Sequence, residues 1–341
     1  MPAQCAEFDT RLAEAVQRRV PLVRRPYAQI ADELGVGERH LLERLAALRG
    51  EGGVIREIAG IFDAAAFGYS QALVALRVKA DSADAAGRIA AAHPGVSHCY
   101  KRTHRYNLWL TLATSPRSAL GLERTACVLA GLCGADSHML LPSLKRYKLQ
   151  VRFGAAQTPE NNEPPSGGGR PPRPGDLADD QLRAVRALQM DLPNEPEPFA
   201  AVAATIAMDA DELLVHGADF LAAGWMRRYA AVLHHRAAGA ASNVLTAWRV
   251  APADADRAGA ICASRPQVSH CYLRPPAKDW PYTLYTMIHG RDRAECERVI
   301  ADLAASAALA DRAELWTAAE FKKQRVRLFG DEEPRWEAEH R

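Results

Sequence analysis

Apolar residues recur at helical spacing through the first part of the chain. FDTRLAEAVQRRV (Phe8–Val20) has this period, and Tyr27–Leu34 has the pattern of a short helix that ends at Gly35. Glu38–Arg49 predicts a second helix, with its leucines on one side. The following EGGVIREIAGIFD suits a β-wing. Two short helices joined by a Gly-containing turn and followed by a wing predict a winged helix-turn-helix.

The pattern then changes to short apolar runs that alternate with helices. In order, it predicts strand Ser70–Val78, helix Ala80–Gly95, strand VSHCYKR (Val96–Arg102), strand Tyr106–Thr114, helix Arg117–Cys133 and a strand at the end of Met139–Phe153. The order β-α-β-β-α-β is that of a ferredoxin-like domain.

The second half of the chain repeats the first. It predicts helices 179–190 and 198–223, strand Trp225–Leu233, strand Ser242–Val250, helix 252–264, strand VSHCYLR, strand Tyr282–Gly290, helix 291–307 and strand Leu315–Phe329. Arg56 matches Arg227 and Gly68 matches Gly239, so a duplication accounts for the two halves. The predicted fold class is α+β: two repeats, each a winged helix-turn-helix followed by a ferredoxin-like domain.

Composition marks the boundary between the repeats. The stretch from residue 154 is rich in Pro, Gly and polar residues without periodicity, which is typical of a linker. The predicted domains are a winged helix (1–62), a ferredoxin-like domain (63–153), the linker (154–176), a degenerate winged helix (177–236), a ferredoxin-like domain (237–330) and a tail (331–341).

The charge pattern argues against DNA as a partner. The second winged helix has MDADEL where a reading helix would begin, and these carboxylates would face phosphates of the same sign. The first has a mixture that is neither strongly basic nor rich in base-reading side chains: Glu38, Arg39, His40, Glu43 and Arg44. The formal net charge of +2 adds no general attraction to nucleic acid.

Composition is that of a globular protein, with 48% hydrophobic and 25% charged residues. No apolar run is long enough to cross a bilayer and no secretory signal is visible, so a cytoplasmic location is expected and no membrane partner. The seven cysteines form no C-x-x-C pair, which argues against a disulfide framework or a structural zinc site.

The two copies of VSHCY are the strongest chemical signal. Because side chains alternate along a strand, Val96, His98, Tyr100 and Arg102 are predicted to share one face, and His270, Tyr272 and Arg274 to share the matching face. A sheet face half open to solvent would explain one such row. Two matching rows in halves that have otherwise diverged favour a functional role.

Cations and aromatics surround both rows. Arg offers a rigid fork for carboxylates, and the rings can contact an apolar body, so the pattern suits a large, flat polycarboxylate ligand. KRYK and KKQR could equally be solvated strand edges, and His289 a loop histidine. The predicted ligand-binding residues are Lys101, His104, Arg105, Tyr106, Trp109, Arg56, Arg227, Trp280, Tyr282, His289, Lys148 and Lys322. No nucleophile elbow, HExxH, P-loop or GxGxxG motif is present.

The winged helix followed by β-α-β-β-α-β resembles the Lrp/AsnC architecture of bacterial regulators. Within it, VSHCYKRTHRYNLWLTL and VSHCYLRPPAKDWPYTLYTMIHG resemble the siroheme decarboxylases of alternative haem and haem d1 biosynthesis. The first is similar to the form V-S-H-x-Y-x-R-x-H-x-Y-N-x-W and the second to D-W-P-Y-x-L-x-x-M-I-H-G. Family members work as pairs of unlike subunits, some of them fused. This chain resembles a fusion, apart from its linker and its C-terminal GDEEPRWEAEHR.

The resemblance implies decarboxylation of siroheme at its C12 and C18 acetates, giving 12,18-didecarboxysiroheme with no cofactor beyond the substrate. Siroheme has eight carboxylates around an apolar macrocycle, and each carbon that loses CO2 must take up a proton. The implied roles are proton donation by His98 and His270, with the siroheme iron as an alternative partner of one of them, carboxylate binding by Arg102 and Arg274, and orientation by Tyr100 and Tyr272. No metal held by the protein itself is expected.

Several alternatives stay open on the sequence alone. A transcription regulator of the Lrp/AsnC type and a haem-binding module without catalysis fit parts of the same pattern. PPAKDW replaces Thr103-His104 after Arg274, so the halves are expected to be unequal, and whether one or both catalyse is undecided. The haem d1 and haem b pathways, a need for related subunits, and an internal pseudo-dimer or a larger homo-oligomer are also undecided.

Overall fold

A computed structural model describes residues 2–149, 177–233 and 242–340, with side chains from residue 7 onward. The predicted linker 154–176, Gly239 and the end of the predicted strand Met139–Phe153 lie outside the described residues. The helices are α1 (Pro2–Arg18), α2 (Pro26–Leu34), α3 (Glu38–Arg49), α4 (Ala83–Ala92), α5 (Gly121–Leu132), α6 (Asp179–Leu188), α7 (Pro198–Ala204), α8 (Ala210–Ala222), α9 (Ala255–Ser264), α10 (Arg293–Ala307) and α11 (Glu332–Glu339).

The strands follow the predicted order with one addition. They are β1 (Ile55–Phe62), β2 (Ser70–Arg77), β3 (Val96–Arg102), β4 (Leu108–Thr114), β5 (Ser137–Pro142), β6 (Lys145–Leu149), β7 (Met226–Leu233), β8 (Ser242–Trp248), β9 (Val268–Leu273), β10 (Leu284–Gly290) and β11 (Arg312–Lys323). The described residues divide into two compact units: residues 2–69, 177–233 and 327–330 form the helical unit, and residues 70–149, 242–326 and 331–340 form the sheet unit. None of the described helices has the length and apolar character needed to span a membrane.

In the helical unit, both halves of the chain contribute three helices and a strand. The predicted wing is wrong as a local hairpin, because β1 pairs antiparallel with β7 of the second half in a two-stranded sheet. The predicted helix 198–223 is two helices, α7 and α8. The acidic MDADEL begins α8, where the Asp209 side chain accepts a hydrogen bond from the backbone N–H of Asp211 at 2.8 Å. Carboxylates stabilise the positive end of a helix, which explains this segment without any role toward DNA.

The sheet unit contains one nine-stranded sheet in the order β5-β2-β4-β3-β11-β8-β10-β9-β6. Within it, β5-β2-β4-β3 and β11-β8-β10-β9 have the same ferredoxin-like order. Helices α4 and α5 cover one core, which includes Val96, Cys99 and Leu110, and α9 and α10 cover the matching core of the second half.

The two halves exchange their last strands. Arg312–Trp316 of β11 pairs with β8 of its own half, whereas Thr317–Lys323 pairs with β3 of the first half. Likewise β5 pairs with β2, and β6 continues on to β9 of the second half. The Met139–Phe153 region is therefore two strands on opposite edges of the sheet, separated at Pro142, whose missing N–H cannot continue a ladder.

The residues after 330, which the sequence suggests only as a tail, include α11. Its Glu337 is 4% exposed and accepts hydrogen bonds from the backbone N–H groups of Ala119 at 3.0 Å and Leu120 at 3.3 Å, and from the Ser118 hydroxyl. These groups lie at the N-terminus of α5, where a carboxylate is also stabilised by the positive end of the helix dipole. The C-terminal helix is thus anchored to the first ferredoxin-like half.

Replacing Glu337 by Gln is expected to lower the free energy of unfolding by about 1–3 kcal/mol, because the charge-assisted hydrogen bonds that its buried carboxylate accepts are lost. Chemical denaturation followed by circular dichroism measures this. Glu339→Gln, at an exposed position of the same helix, is the matched control. Equal midpoints for the two variants would contradict the anchoring role.

Candidate active site

Each His-Tyr-Arg row begins at a β-bulge. The pairing of β3 with β4 slips between Val96 and His98, and that of β9 with β10 slips between Val268 and His270. As a result Val96 and Cys99 both pack in the helix-covered core, and the prediction that Val96 shares the face of His98 is wrong. An extra residue in one strand turns the side chains after it to the other face, so the bulge places Ser97 beside the His98 ring.

Serine hydroxyls hold both histidines. Ser97 Oγ lies 3.0 Å from Nδ1 of His98. In the second half, Ser269 Oγ lies 2.7 Å from Nδ1 of His270 and also 2.9 Å from Nε2 of His289. The hydrogen bond at Nδ1 fixes the orientation of each imidazole ring.

The two arginines are shielded from water to different degrees: Arg102 is buried, whereas Arg274 is half-buried with a buried Nε. Arg102 is 5% exposed, and its guanidinium donates to the carbonyl oxygen of Leu315 at 2.9 Å and to the Thr317 hydroxyl at 3.0 Å. Arg274 donates to the carbonyl oxygen of Leu141 at 2.6 Å. Among the described residues neither guanidinium is paired with a carboxylate, and Nε of each has no hydrogen-bond partner. Each site therefore holds an uncompensated positive charge.

Each guanidinium also stacks on the tyrosine of its own row, 5.1 Å from the ring centre of Tyr100 or Tyr272. Burial lowers the pKa of Arg102 to about 10 and that of Arg274 below its ordinary value. Both arginines still carry their charge at neutral pH. A charged group kept this far from water is expensive unless an anion joins it.

The two rows meet on one face of the sheet unit. Arg102 reaches strands of the second half, and its Nη2 lies 4.0 Å from Sδ of Met287. Burial, followed by the nearby charges of His289, His98 and Lys323, lowers the pKa of His270 to about 4. Burial, followed by the positive charges of Lys323 and Arg102, likewise lowers the pKa of His289. His270 and His289 are therefore neutral imidazoles at pH 7.

Acidification is expected to destabilise the fold partly through His270. An unfolded histidine titrates near 6.5, whereas folded His270 titrates near 4, so between these values the unfolded chain binds a proton that the folded chain does not. The contribution of His270 to the free energy of unfolding is fully present above pH 6.5 and is lost as the pH falls toward 4. Denaturation at pH 7 and 4.5 should show a weaker pH dependence in His270→Gln than in His138→Gln, an exposed control. Equal pH dependence in both variants would contradict this.

The rows are not identical in their neighbours. Cross-strand partners place Glu320 beside Tyr100 but Arg146 beside Tyr272. Burial, and then the negative charge of Glu320, raise the pKa of Tyr100. Lys323 lies beside His98, where the second half has Leu149 beside His270. The first half is thus richer in charge at the histidine, and the second half has the additional imidazole of His289.

Three predicted ligand-binding lysines lie on the helix side of the sheet, opposite the histidines. Lys148 and Lys322 donate to the carbonyl oxygens of Arg265 at 2.6 Å and His93 at 2.9 Å, which end α9 and α4. Their ammonium groups stabilise the negative ends of these helices. Lys101 pairs with Asp84 of α4 at 2.9 Å. These contacts direct the three ammonium groups away from the rows, and the role of these lysines in ligand binding stays a prediction.

The predicted aromatic residues form a buried cluster between the two halves of the sheet. Trp109 and Trp280 are each 1% exposed, with ring centres 5.5 Å apart. Tyr106 packs with them, and Tyr282 lies at the margin of the cluster. His104 stacks edge-on against Trp280 at 5.2 Å, and Arg105 donates to the carbonyl oxygen of Asp279. These residues pack in and around the apolar cluster between the halves and do not belong to the rows.

Arg56 and Arg227 belong to the helical unit, where they pair with Glu57 at 2.6 Å and Asp63 at 2.9 Å.

Sequence reasoning missed Ser97, Ser269, Glu320, Lys323 and Arg146 as neighbours of the rows. The serines were visible, because both copies of VSHCY contain them, but their contact with the histidines depends on the bulge. The others lie on strands whose partners could not be read from the sequence.

Among the described residues, metal-ligating side chains converge at Asp180, Glu212 and His216 of the helical unit, with ligand atoms within 4.8 Å of one another. Nε2 of His216 lies 3.6 Å from a carboxylate oxygen of Asp180. The neutral imidazoles of the sheet unit are suitable ligands for a porphyrin iron.

Two family profiles match the chain. That of an AsnC-like ligand binding domain covers residues 66–148 and 237–322, and that of a siroheme decarboxylase NirDL-like HTH domain covers residues 9–56. A Hydrogenobacter thermophilus protein named siroheme decarboxylase is 33% identical over 331 residues, 97% of each chain. The chain belongs to the siroheme decarboxylase family. The family and the fold class expected from the sequence are thereby confirmed.

Other members of the siroheme decarboxylase family also match along most of the chain. The siroheme decarboxylase NirDL subunit of Paracoccus denitrificans is 32% identical over 87% of this chain and 89% of that protein. The crystal structure of the siroheme decarboxylase NirDL superposes with a TM-score of 0.77 and 28% identity over 97% of both chains. A NirDL structure in co-complex with an iron-uroporphyrin III analogue gives the same TM-score, with 29% identity over 96% of both chains.

Proposed function

We propose that the chain is a siroheme decarboxylase that removes CO2 from the C12 and C18 acetate side chains of siroheme, giving 12,18-didecarboxysiroheme for haem d1 or alternative haem biosynthesis. The observation that carries this is that each row combines a serine-held imidazole with a carboxylate-free guanidinium, which is buried at Arg102 and half-buried at Arg274. The similarity of this chain to the siroheme decarboxylase of Hydrogenobacter thermophilus extends over 97% of each chain.

Arg102 and Arg274 bind substrate carboxylates in this proposal. A guanidinium that is buried without an anion has lost its hydration and gained only carbonyl and hydroxyl contacts. A carboxylate supplies the missing charge and two parallel hydrogen bonds. Tyr100 and Tyr272 hold the guanidinium planes by stacking and thereby orient them.

His98 and His270 act at the reacting carbon or at the iron. When the bond from the acetate methylene to its carboxylate breaks, the electron pair stays on that carbon, conjugated with the macrocycle. A proton from Nε2–H of a histidine then completes the methyl group. An imidazole that is neutral at pH 7, as at His270, can donate this proton, or it can ligate the siroheme iron through the same atom.

We further propose that no cofactor beyond siroheme is needed and that the reaction takes place in the cytoplasm.

Separate α and β subunits of the siroheme decarboxylase of Desulfovibrio desulfuricans each match less than half of this chain. The exchange of β6 and β11 between the halves suits an internal pair that replaces two such subunits. Related subunits are the further protein partners to be added in an assay.

Anaerobic incubation of the purified chain with siroheme, followed by mass spectrometry of the tetrapyrrole, tests the proposal. Loss of the mass of two CO2 units is expected. Tight binding shown by a Soret change with no loss of mass, even after related subunits are added, would make the chain a carrier. Sequence-specific binding to DNA without any Soret change would make it a regulator.

A further inference from the structure

The second half of the sheet unit contains a hydrogen-bonded row of three side chains that the first half lacks. Ser269 Oγ lies 2.7 Å from Nδ1 of His270 and 2.9 Å from Nε2 of His289, while its contact with the carbonyl oxygen of Met287 is longer, at 3.4 Å. We propose that His289 and Ser269 form a proton relay that supplies His270, so that His270 is the proton donor of the decarboxylation. This inference rests on the proposed function.

The chemistry of the serine hydroxyl supports a relay. A hydroxyl has one proton and two lone pairs, so between two neutral imidazoles it donates to one ring nitrogen and accepts from the other. In the state ready for reaction, Ser269 donates to Nδ1 of His270 and accepts from Nε2–H of His289. Nε2 of His270 then carries the proton that the relay proposal assigns to the substrate carbon.

Each proton that leaves one group of the relay is replaced by a proton from the next group. The His270 Nε2 proton moves to the carbon that holds the electron pair left by the departing CO2. The Ser269 hydroxyl proton moves to Nδ1 of His270, and the His289 Nε2 proton restores the hydroxyl. His289, which is half-buried near the end of β10, takes one proton from water at Nδ1, and the hydroxide left behind combines with the released CO2 to give bicarbonate. The net result is one solvent proton delivered to carbon without a charged imidazole remaining.

In the described part of the first half, no imidazole stands at the position of His289. Val96 pairs with Leu112 in the first half as Val268 pairs with Ile288 in the second, so Ala113 occupies the position of His289. Ser97 bonds the ring of His98 at 3.0 Å, and its next contact is the carbonyl oxygen of Thr111 at 3.5 Å, which has no proton to give. The same serine therefore orients His98 but does not connect it to a second proton carrier.

The test compares Ser269→Ala, Ser269→Thr, His289→Ala and, as the matched serine control, Ser97→Ala, all assayed with siroheme. For Ser269→Ala and His289→Ala we expect turnover to fall at least about 10-fold with KM within about twofold, since the relay moves protons and does not bind substrate. Their solvent deuterium isotope effect should rise, because proton delivery becomes limiting. Ser269→Thr, which keeps the hydroxyl, and added imidazole with His289→Ala should restore turnover.

Ser97→Ala should leave the isotope effect as in the unmodified chain. Unchanged turnover in both relay variants would overturn the relay, and so would reduced turnover with an unchanged isotope effect and no rescue, which indicates packing damage alone. Absence of CO2 release from the unmodified chain would overturn the proposed function together with the relay. Normal release from the unmodified chain confines any failure to the relay.

Discussion

His270→Ala is expected to slow CO2 release from siroheme by about 10²–10⁴-fold, the usual contribution of a positioned general acid. Siroheme should still bind, because the carboxylate contacts assigned to Arg102 and Arg274 remain. His98→Ala should also impair the reaction, through loss of either a proton donor or an iron ligand. Product masses over a time course measure the rate, and the Soret band of the bound substrate separates the two roles. A variant that has lost the iron ligand shifts this band, whereas one that has lost only the donor does not.

His138→Ala is the control for both variants, because His138 is exposed on β5, outside the two rows. It should release CO2 at the rate of the unmodified chain. Full activity in both His98→Ala and His270→Ala would refute the assignment of the rows. A defect in only one of them would show that the halves have different tasks, which the additional imidazole of His289 in the second half already favours.

Local pattern predicted most of the secondary structure, because each element follows from the spacing of its own apolar residues. Helix Glu38–Arg49 has its predicted limits, and VSHCYKR is strand β3 as expected. Pairing between distant strands is set by the tertiary fold and leaves no such local period. Neither the contact of Thr317–Lys323 with β3 nor that of β6 with β9 could be derived from the spacing.

The candidate site shows the same division. The repeated VSHCY stretches identified the histidines and arginines that the structure brings to one face. Simple alternation failed at Val96, because a single inserted residue at the bulge turns the later side chains of the strand to the opposite face. Lys148 and Lys322 were predicted to bind a ligand from their charge, whereas their ammonium groups donate to carbonyl oxygens at the C-terminal ends of α9 and α4. Charge alone does not show which side of a sheet a residue faces.

Arg102→Met is expected to weaken siroheme binding by at least about 30-fold, since loss of one partner of a buried charge pair costs about 2–5 kcal/mol. The unliganded protein should respond in the opposite way. Its guanidinium is buried without a carboxylate, so an apolar side chain of similar length removes a desolvation cost and leaves the unfolding temperature equal or higher. Soret titration and thermal unfolding of the same preparation measure the two effects.

The combination separates a binding role from a structural one. Arg298→Met removes the same charge from an exposed position of α10, and it should alter neither siroheme affinity nor unfolding temperature. Arg274→Met should behave like Arg102→Met if both rows hold carboxylates, and like the control if only the first row does. A large drop in unfolding temperature for Arg102→Met together with unchanged siroheme affinity would show that its contacts with Leu315 and Thr317 are purely structural. The desolvation of the Arg102 guanidinium lowers the stability of the unliganded protein, and a bound carboxylate of siroheme offsets this cost.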